Sequence, residues 1–332
     1  FQSYAKQIIS LLKVEVFVHG NSTSQEAMEF ATSIHETLGS QPLPCAMEPI
    51  RRVVALEPGV TYIYRDHCKN CNPAEKNSAI QNLYLVTDEN SADDINTNTS
   101  SSSKADALGT EAMLDLISHL LSEPAFDQLR TKEQLGYIVH TSKTDMGHVL
   151  GLRMIIQSNS KDGQYLDGRI ESFLEQYRTT LLQDMSLDEL NTNISATIEK
   201  LIEKPKNLDE ETGELWDEIR KSMYLFDRKI LKANYLRGIL ETNKKCNDIS
   251  ECNFLQEIMK FYDEYLRVTS TTRRKFSTQF YGQGTKYPHQ DTVLPPKTIL
   301  IKEPGHFKRN MQLLKIKTAT ATATASENEN EN

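Results

Sequence analysis

Residues 122–140, SEPAFDQLRTKEQLGYIVH, join a helix-like pattern to a strand-like one. Phe126 and Arg130 are four positions apart, so they share one face of a helix. Gly136 ends the helical pattern and allows a sharp turn. Tyr137 can then begin a strand and still point back towards the helix face. The stretch therefore predicts a helix-to-strand unit that holds an arginine close to a tyrosine.

Arg130 and Tyr137 allow two interpretations. Arginine presents a planar fork of donors that suits carbonyl or carboxylate oxygens, and a tyrosine hydroxyl donates to an oxyanion without first losing a proton at pH 7. Alternatively, Arg130 pairs with Glu133 on the surface, where an ion pair contributes little, and Tyr137 is half-buried at the start of a strand. The residues alone favour this second, structural interpretation.

The composition excludes several classes of function. The 332 residues are 25% charged, which is typical of a soluble globular protein with two domains or one large one. A formal charge of −8 argues against a nucleic-acid partner, because phosphate binding needs a basic face. The short basic runs at Arg51–Arg52 and Arg273–Lys275 are expected to be solvated surface. No apolar run approaches the ~20 residues that cross a bilayer, so no membrane partner is expected.

Five cysteines do not indicate a disulfide framework. Cys68 and Cys71 form a single C-x-x-C in a polar loop, and Cys246 and Cys252 are a poor match for the second pair of a zinc ribbon. Reduced thiols, with no visible secretory signal, predict a cytoplasmic protein. The chain opens without Met on an apparent helix tail, so we expect a fragment whose own N-terminus, with any organelle address, lies outside it.

The order of patterns predicts an α+β fold with a largely antiparallel sheet and helices layered on one side. One domain is expected over 1–285, interrupted by a polar, disordered insertion at 89–109, and 286–332 is expected to be a divergent segment with a low-complexity tail. Helical patterns cover residues 22–39, 111–136, 163–185, 186–205, 209–226 and 252–268. Strand patterns cover 14–18, 48–66 (two strands about a turn at Pro58–Gly59), 80–88, 137–144, 149–158 and 274–282.

The sequence contains no familiar catalytic motif. H-E-x-x-H, H-x-x-E-H, G-x-S-x-G, the P-loop and the dinucleotide fingerprint are all missing. His119 and Glu123 are four apart and could share a helix face, but a catalytic zinc needs three protein ligands. His119 is therefore expected to be an ordinary helix-surface residue. Taken alone, the chain has no metal site, no nucleophile and no acid–base pair.

SEPAFDQLRTKEQLGYIV nevertheless closely resembles a segment of the last of four related αβ domains in the insulysin and pitrilysin family of inverted-zincin metallopeptidases. VFVHGN, GLRMIIQS and IEKPKNLDEETGELWDEI resemble further segments of that domain, in the same order. The resemblance extends from about Leu12 to Tyr281 and implies the αβ fold of that family. It implies that the chain is the C-terminal, non-zinc portion of a zinc metalloendopeptidase that degrades short peptides in an enclosed chamber.

The resemblance also implies roles for three residues. Arg130 would bind the substrate backbone near the cut, Tyr137 would stabilise the tetrahedral intermediate, and Phe126 would form an apolar wall near a substrate side chain. Zinc would be bound by the missing N-terminal half through its H-x-x-E-H motif, and this chain would hold none. The implied partners are that half and short peptide substrates, and a second copy of the chain is a further candidate.

Two alternatives remain open from the sequence. A catalytically inactive peptide- or partner-binding module of the same fold would show the same resemblance without a working zinc motif upstream. A small metal-binding protein that uses Cys68 and Cys71 is the weaker alternative.

Overall fold

The computed structural model describes residues 1–48, 52–67, 74–86, 101–146, 149–283, 285, 287–288 and 294–314. The helices are α1 (Gln2–Ile9), α2 (Ser24–Leu38), α3 (Ser101–Ala125), α4 (Gly163–Asp184), α5 (Leu187–Leu201), α6 (Leu208–Arg220), α7 (Arg228–Asn243), α8 (Asn253–Tyr265) and α9 (Pro304–Asn310). The strands are β1 (Leu11–Leu12), β2 (Gln41–Pro42), β3 (Thr61–His67), β4 (Ser78–Leu85), β5 (Ile138–Asp145), β6 (Leu150–Ser158), β7 (Arg274–Tyr281) and β8 (Thr298–Ile301). Contacts between residues divide the chain into two compact units. The limits predicted from the sequence, 1–285 and 286–332, stay a prediction.

The first unit comprises Phe1–Arg51 and Lys204–Phe226. Its helix α2 begins with a capping box, in which Thr23 and Glu26 satisfy each other's backbone N–H groups. The same helix ends at Gly39, whose φ of 56° is the left-handed conformation that glycine adopts at little cost. Strands β1 and β2 form a short parallel pair, and Phe17 stacks on Trp216 of α6 at a centroid distance of 6.3 Å.

The second unit comprises Arg52–Glu203 and Asp227–Asn332 and contains a six-stranded sheet. Its strand order is β5-β6-β4-β7-β3-β8. The pairs from β5 to β7 are antiparallel, whereas β3 pairs in parallel with both β7 and β8. The sheet is therefore mixed, with three of its five pairings antiparallel.

The alternation along β4 separates two hydrophobic clusters. Ile80, Tyr84 and Val86 belong to the large core that α3, α4, α5, α7 and α8 build over one face of the sheet. Leu83 and Leu85 point to the other face, where they join a smaller cluster packed against Phe307 of α9. The predicted fold class, an α+β unit with its main helices on one side of a largely antiparallel sheet, is confirmed.

Three local predictions were wrong. Val14–Val18 is not a strand, because its valines are exposed and no strand in the described residues pairs with them. Among the described residues of 48–66, β3 is the only strand, and in place of the first predicted strand they form a single bridge between Val54 and Leu313. Helix α3 begins at Ser101, so the predicted disordered stretch 89–109 differs from the structure at its C-terminal end, while 89–100 lie outside the described residues.

The basic run Arg273–Lys275 is also not solvated surface. The side chain of Lys275 is only 3% exposed, and its Nζ lies 2.6 Å from Asp167 and 2.8 Å from Glu171 of α4. Arg273 pairs with the same Glu171 at 2.7 Å. These carboxylates lie more than 100 residues away in sequence, which is why the short basic run did not indicate its own burial. Arg51, from the other run, lies outside the described residues.

Within the described parts of the chain, no helix combines the length and the apolar composition needed to cross a membrane.

Candidate functional site

The helix that carries the candidate site changes its winding at Phe126. Helix α3 contains Pro124 in its last turn, and Phe126–Lys132 continue it as a π-helix. The Glu133 N–H donates to the Gln128 carbonyl at 2.9 Å, the five-residue step of this wider helix. The sequence predicted a helical pattern over 111–136 but did not indicate a π-helix within it. Such segments are rare and frequently occur at functional sites.

Arg130 lies between two aromatic rings. Its guanidinium carbon is 4.5 Å from the ring centroid of Phe126 and 5.3 Å from that of Tyr137. Both distances are within the range of attractive cation–π contacts. The π-helix therefore brings together the three residues that the sequence singled out.

All three side chains reach solvent. Tyr137 is 84% exposed, Phe126 is 41% exposed and Arg130 is partly exposed. Within the described part of the chain, neither the Arg130 guanidinium nor the Tyr137 hydroxyl has a hydrogen-bond or ion-pair partner. The donors of both groups are therefore available to a ligand.

Glu133 has a different partner from the one the structural interpretation required. Its carboxylate accepts two hydrogen bonds of 2.7 Å from Arg169 of α4, and Gln128 donates a third at 2.9 Å. The bonds from Arg169 lower the pKa of Glu133. The structural interpretation, in which Arg130 pairs with Glu133 and Tyr137 is half-buried, is therefore wrong. Glu133, which directly follows the π-helix, instead joins it to α4 through the hydrogen bonds from Arg169.

Gly136 is needed for a reason that the sequence did not indicate. A Cβ at this position would lie 1.8 Å from the carbonyl oxygen of Gln157 in β6, so only glycine permits this approach. The left-handed backbone falls two residues earlier, at Gln134, with φ 52°. Gly136 thus lets the chain enter β5 directly against β6, with Tyr137 immediately before the strand.

A cavity of about 780 Å³ adjoins the site. Phe126 lines it, together with residues of α3, α4, α5 and β5. His119 also lines it and is half-buried, so describing it as an ordinary helix-surface residue missed its position. Burial and the nearby Lys200 lower the pKa of His119, against a smaller opposing effect of Glu123, so the neutral imidazole is favoured.

No cluster of three or more His, Cys, Asp or Glu side chains among the described residues is arranged to hold a metal ion. Cys246 and Cys252 are free thiols. Cys68 and Cys71 lie outside the described residues, so the C-x-x-C prediction stays untested.

The sequence of the chain is similar to a family model and to several known proteins. Residues 116–216, which contain the site, match a family model described as "PQQ synthase PqqF-like, C-terminal lobe domain 4". The chain is 28% identical to the insulin-degrading enzyme of Homo sapiens, over 95% of this chain and 29% of the relative. It is 30% identical to that of Drosophila melanogaster, over 85% of this chain and 25% of the relative. A relative from Arabidopsis thaliana, "Insulin-degrading enzyme-like 1, peroxisomal", is 28% identical over 93% of this chain and 29% of its own length.

The fold has a counterpart among solved structures. Pitrilysin superposes with a TM-score of 0.65 at 19% identity, over 90% of this chain and 27% of that chain. The chain spans less than a third of the length of these relatives. The chain is therefore related to the insulin-degrading enzymes, and the resemblance to the insulysin and pitrilysin family predicted from its sequence is confirmed.

Proposed function

We propose that this chain is the C-terminal, non-zinc portion of an insulysin-like zinc metalloendopeptidase that degrades short peptides in an enclosed chamber. One observation carries the proposal. Arg130 and Tyr137 lie side by side on the surface, and neither polar group has a hydrogen-bond partner in the described part of the chain. A pair that served only the fold would be expected to bury the large ring of Tyr137, which is instead 84% exposed.

Arg130 binds the peptide backbone beside the cut. Its guanidinium is held between Phe126 and Tyr137, which restricts its rotamers before substrate arrives. A preorganised fork of N–H donors matches peptide carbonyl oxygens and loses little side-chain entropy when it binds them. Phe126 forms the apolar wall for a neighbouring substrate side chain, since its ring is partly exposed next to the guanidinium.

Tyr137 stabilises the oxyanion of the tetrahedral intermediate. Its phenol is a neutral donor at the start of β5, so it can donate without a prior proton transfer. Removing one such donor costs about 10²–10³ in kcat. The adjacent Arg130 adds positive charge close to the developing negative charge.

Zinc would belong to the rest of the longer protein. The described residues do not fit a zinc site, and the relatives are more than three times as long as this chain. The N-terminal half would be the partner that completes the chamber. A cytoplasmic location and a homodimer are finer proposals, which rest on the reduced cysteines and on the family resemblance.

The test is turnover of a short peptide by the full-length enzyme with Tyr137→Phe. We expect kcat to fall about 10²–10³-fold while KM changes little, because the lost hydrogen bond forms mainly in the transition state. Tyr165→Phe is the matched control, since it removes an exposed hydroxyl from α4 beside Lys161. An unchanged kcat would remove Tyr137 from the catalytic machinery. A full-length protein that binds peptides without cleaving them would favour the inactive binding module.

A further inference from the structure

Two cysteines lie close together in the loop between α7 and α8. Cys246 and Cys252 are six positions apart in sequence, and both are free thiols. A short 3₁₀ helix, Ile249–Glu251, lies between them and turns the chain back on itself. The conformation of this loop therefore decides whether the two sulfur atoms can meet.

Hydrogen bonds close the loop on itself. The Cys246 N–H donates to the backbone carbonyl of Asn243, the last residue of α7, at 3.0 Å. The N–H of the next residue, Asn247, donates to the carboxylate of Glu251 at 2.7 Å. These bonds hold the two ends of the segment 246–252 near each other before any covalent link forms.

The Cys246 sulfur lies next to the peptide group that precedes Cys252. Its distance from the carbonyl oxygen of Glu251 is 3.6 Å. A carbonyl oxygen is about 2.8 Å from the next Cα in a trans peptide, so the Cys246 sulfur lies within about 6.5 Å of the Cys252 Cα. A disulfide joins Cα atoms that are up to about 6.8 Å apart. A bridge therefore requires only rotation of the two side chains and a small adjustment of the loop.

The two thiols differ in accessibility. Cys246 is half-buried, whereas Cys252 is only 1% exposed. A small oxidant therefore reaches Cys246 first, and Cys252 can then attack the oxidised sulfur from within the loop. An accessible cysteine next to a second, resolving cysteine is the usual arrangement for reversible thiol oxidation.

Asn243 links the redox state of this pair to the packing of α7 on α5. Its Oδ1 accepts the S–H of Cys252 at 3.2 Å, and its side-chain amide donates to Asn191 of α5 at 3.0 Å. Asn243 is only 2% exposed, and a bridge would remove the S–H donor from its buried oxygen. This loss opposes the bridge, so the disulfide is expected to be reversible rather than permanent.

We infer that Cys246 and Cys252 form a reversible intramolecular disulfide, with a low-molecular-weight disulfide of the glutathione type as the oxidant. The Cys246 thiolate attacks one sulfur of the oxidant, whose S–S bond breaks and releases one thiolate, which takes up a proton. Cys252 then loses its proton and attacks the Cys246 sulfur, which releases the second small thiol. In total, the two protein thiols lose two protons and two electrons, and the oxidant gains them as two small thiols.

The surroundings of Cys246 make this exchange slow at neutral pH. Partial burial and the neighbouring Cys252 and Glu251 raise the pKa of the Cys246 thiol. Only a small fraction of it is therefore the reactive thiolate at pH 7. The extent of bridging is accordingly measured at equilibrium and not from an initial rate.

The test equilibrates the 332-residue chain in mixtures of reduced and oxidised glutathione. Acid quenching, alkylation with N-ethylmaleimide in denaturant and digestion with trypsin follow. Both cysteines fall in one tryptic peptide, residues 246–260, which contains no other cysteine. We expect this peptide without label and about 2 Da lighter than the dithiol at oxidising ratios, and with two labels after return to excess reduced glutathione. Two labels at every ratio, or glutathione retained in place of the bridge, would overturn the inference.

A synthetic peptide of residues 246–260 measures what the folded loop contributes. The native chain should form the bridge at about tenfold less oxidised glutathione than the peptide requires, because the loop already holds the two thiols at a high effective concentration. An equal requirement in chain and peptide would mean that closeness in sequence alone is responsible, and would overturn the role assigned to the fold.

Two single variants identify the thiol that reacts first. Cys252→Ser should retain one glutathione on Cys246, because no second thiol resolves the mixed disulfide. Cys246→Ser should stay free of glutathione, because the remaining thiol of Cys252 is buried. Equal modification of the two variants would overturn the assignment of Cys246 as the thiol that meets the oxidant.

Discussion

Tyr177 donates its phenolic hydrogen to the carbonyl oxygen of Leu120 at 2.8 Å, and both residues are buried. Leu120 is four residues before Pro124, which has no N–H to donate to that carbonyl. The hydroxyl of α4 therefore satisfies the acceptor that the proline leaves free in α3. This bond joins α4 to α3 shortly before the π-helix that carries Phe126 and Arg130.

Tyr177→Phe should lower the free energy of unfolding by about 1–3 kcal/mol, because the Leu120 carbonyl would stay buried without a donor. Urea denaturation monitored by circular dichroism measures the change. Tyr165→Phe is the control and should have almost no effect, since the ring of Tyr165 is exposed. Equal stability of the two variants would mean that water or a shifted backbone replaces the Tyr177 hydroxyl.

Gly136→Ala should disrupt the junction between the π-helix and β5. The added methyl group would overlap the Gln157 carbonyl oxygen, so β5 and β6 would have to separate locally. We expect a loss of about 2 kcal/mol or more in unfolding free energy. The proposed role of Tyr137 further predicts a lower kcat in the full-length protein, because Tyr137 would be displaced.

Gly168→Ala is the contrasting substitution. Gly168 lies within α4, and a Cβ there would meet no atom within 4 Å. Replacing a helical glycine by alanine should stabilise the protein by about 0.5–1 kcal/mol. If both glycine variants shifted stability in the same direction, the close approach of Gly136 to β6 would not be the controlling feature.

Local signals explain which parts of the fold could be predicted. The predicted helix at 22–39 agrees closely with α2, because its ends are fixed locally by the capping box of Thr23 with Glu26 and by Gly39. The predicted strand at 80–88 agrees with β4, where Leu83 and Leu85 alternate with Tyr84 and Val86 between the two clusters. A prediction was wrong where the outcome depended on a residue distant in sequence, as with the buried ion pairs of Arg273 and Lys275.

In the candidate site, too, local features could be predicted from the sequence and long-range contacts could not. Phe126, Arg130 and Tyr137 could be singled out from spacing and resemblance, and the structure brings them together. The partner of Glu133 could not be predicted, because Arg169 lies 36 residues away on another helix. The cavity beside Phe126 was missed for a similar reason, since its lining residues come together only through the packing of α3, α4, α5 and β5.

The Glu133–Arg169 pair should make stability depend on pH in a defined direction. The hydrogen bonds from Arg169 hold the pKa of Glu133 below its usual value. The stabilisation is therefore fully present above the unfolded-state pKa of about 4.3 and is lost as the pH falls through the lower folded-state value. Glu133→Gln should cost about 1–2 kcal/mol at pH 7, and this cost should shrink steadily below about pH 4.3.

Unfolding free energies of the wild-type chain and Glu133→Gln, measured at a series of pH values, test this prediction. Glu199→Gln is the control, because it removes an exposed carboxylate from α5. A constant difference between wild type and Glu133→Gln across the series would show that the carboxylate charge contributes nothing at this position.

Of the substitutions considered, we expect those at the buried carboxylate of Glu171 to lower the free energy of unfolding most. Glu171 accepts a hydrogen bond from Tyr84 at 2.8 Å and pairs with both Lys275 and Arg273. Burial raises the pKa of Glu171, but the two cations outweigh this effect and lower it to about 2. The carboxylate therefore remains ionised at pH 7 and neutralises charge between α4 and β7.

Glu171→Gln should cost about 3–5 kcal/mol, because it leaves buried cations short of a counter-charge. Glu171→Gln combined with Lys275→Met should cost less than the sum of the two single variants, since the unpaired ammonium is then absent. Urea denaturation of the four proteins at pH 7 measures this coupling. Additive single-variant costs would show that Asp167, which also pairs with Lys275 at 2.6 Å, is sufficient for that lysine.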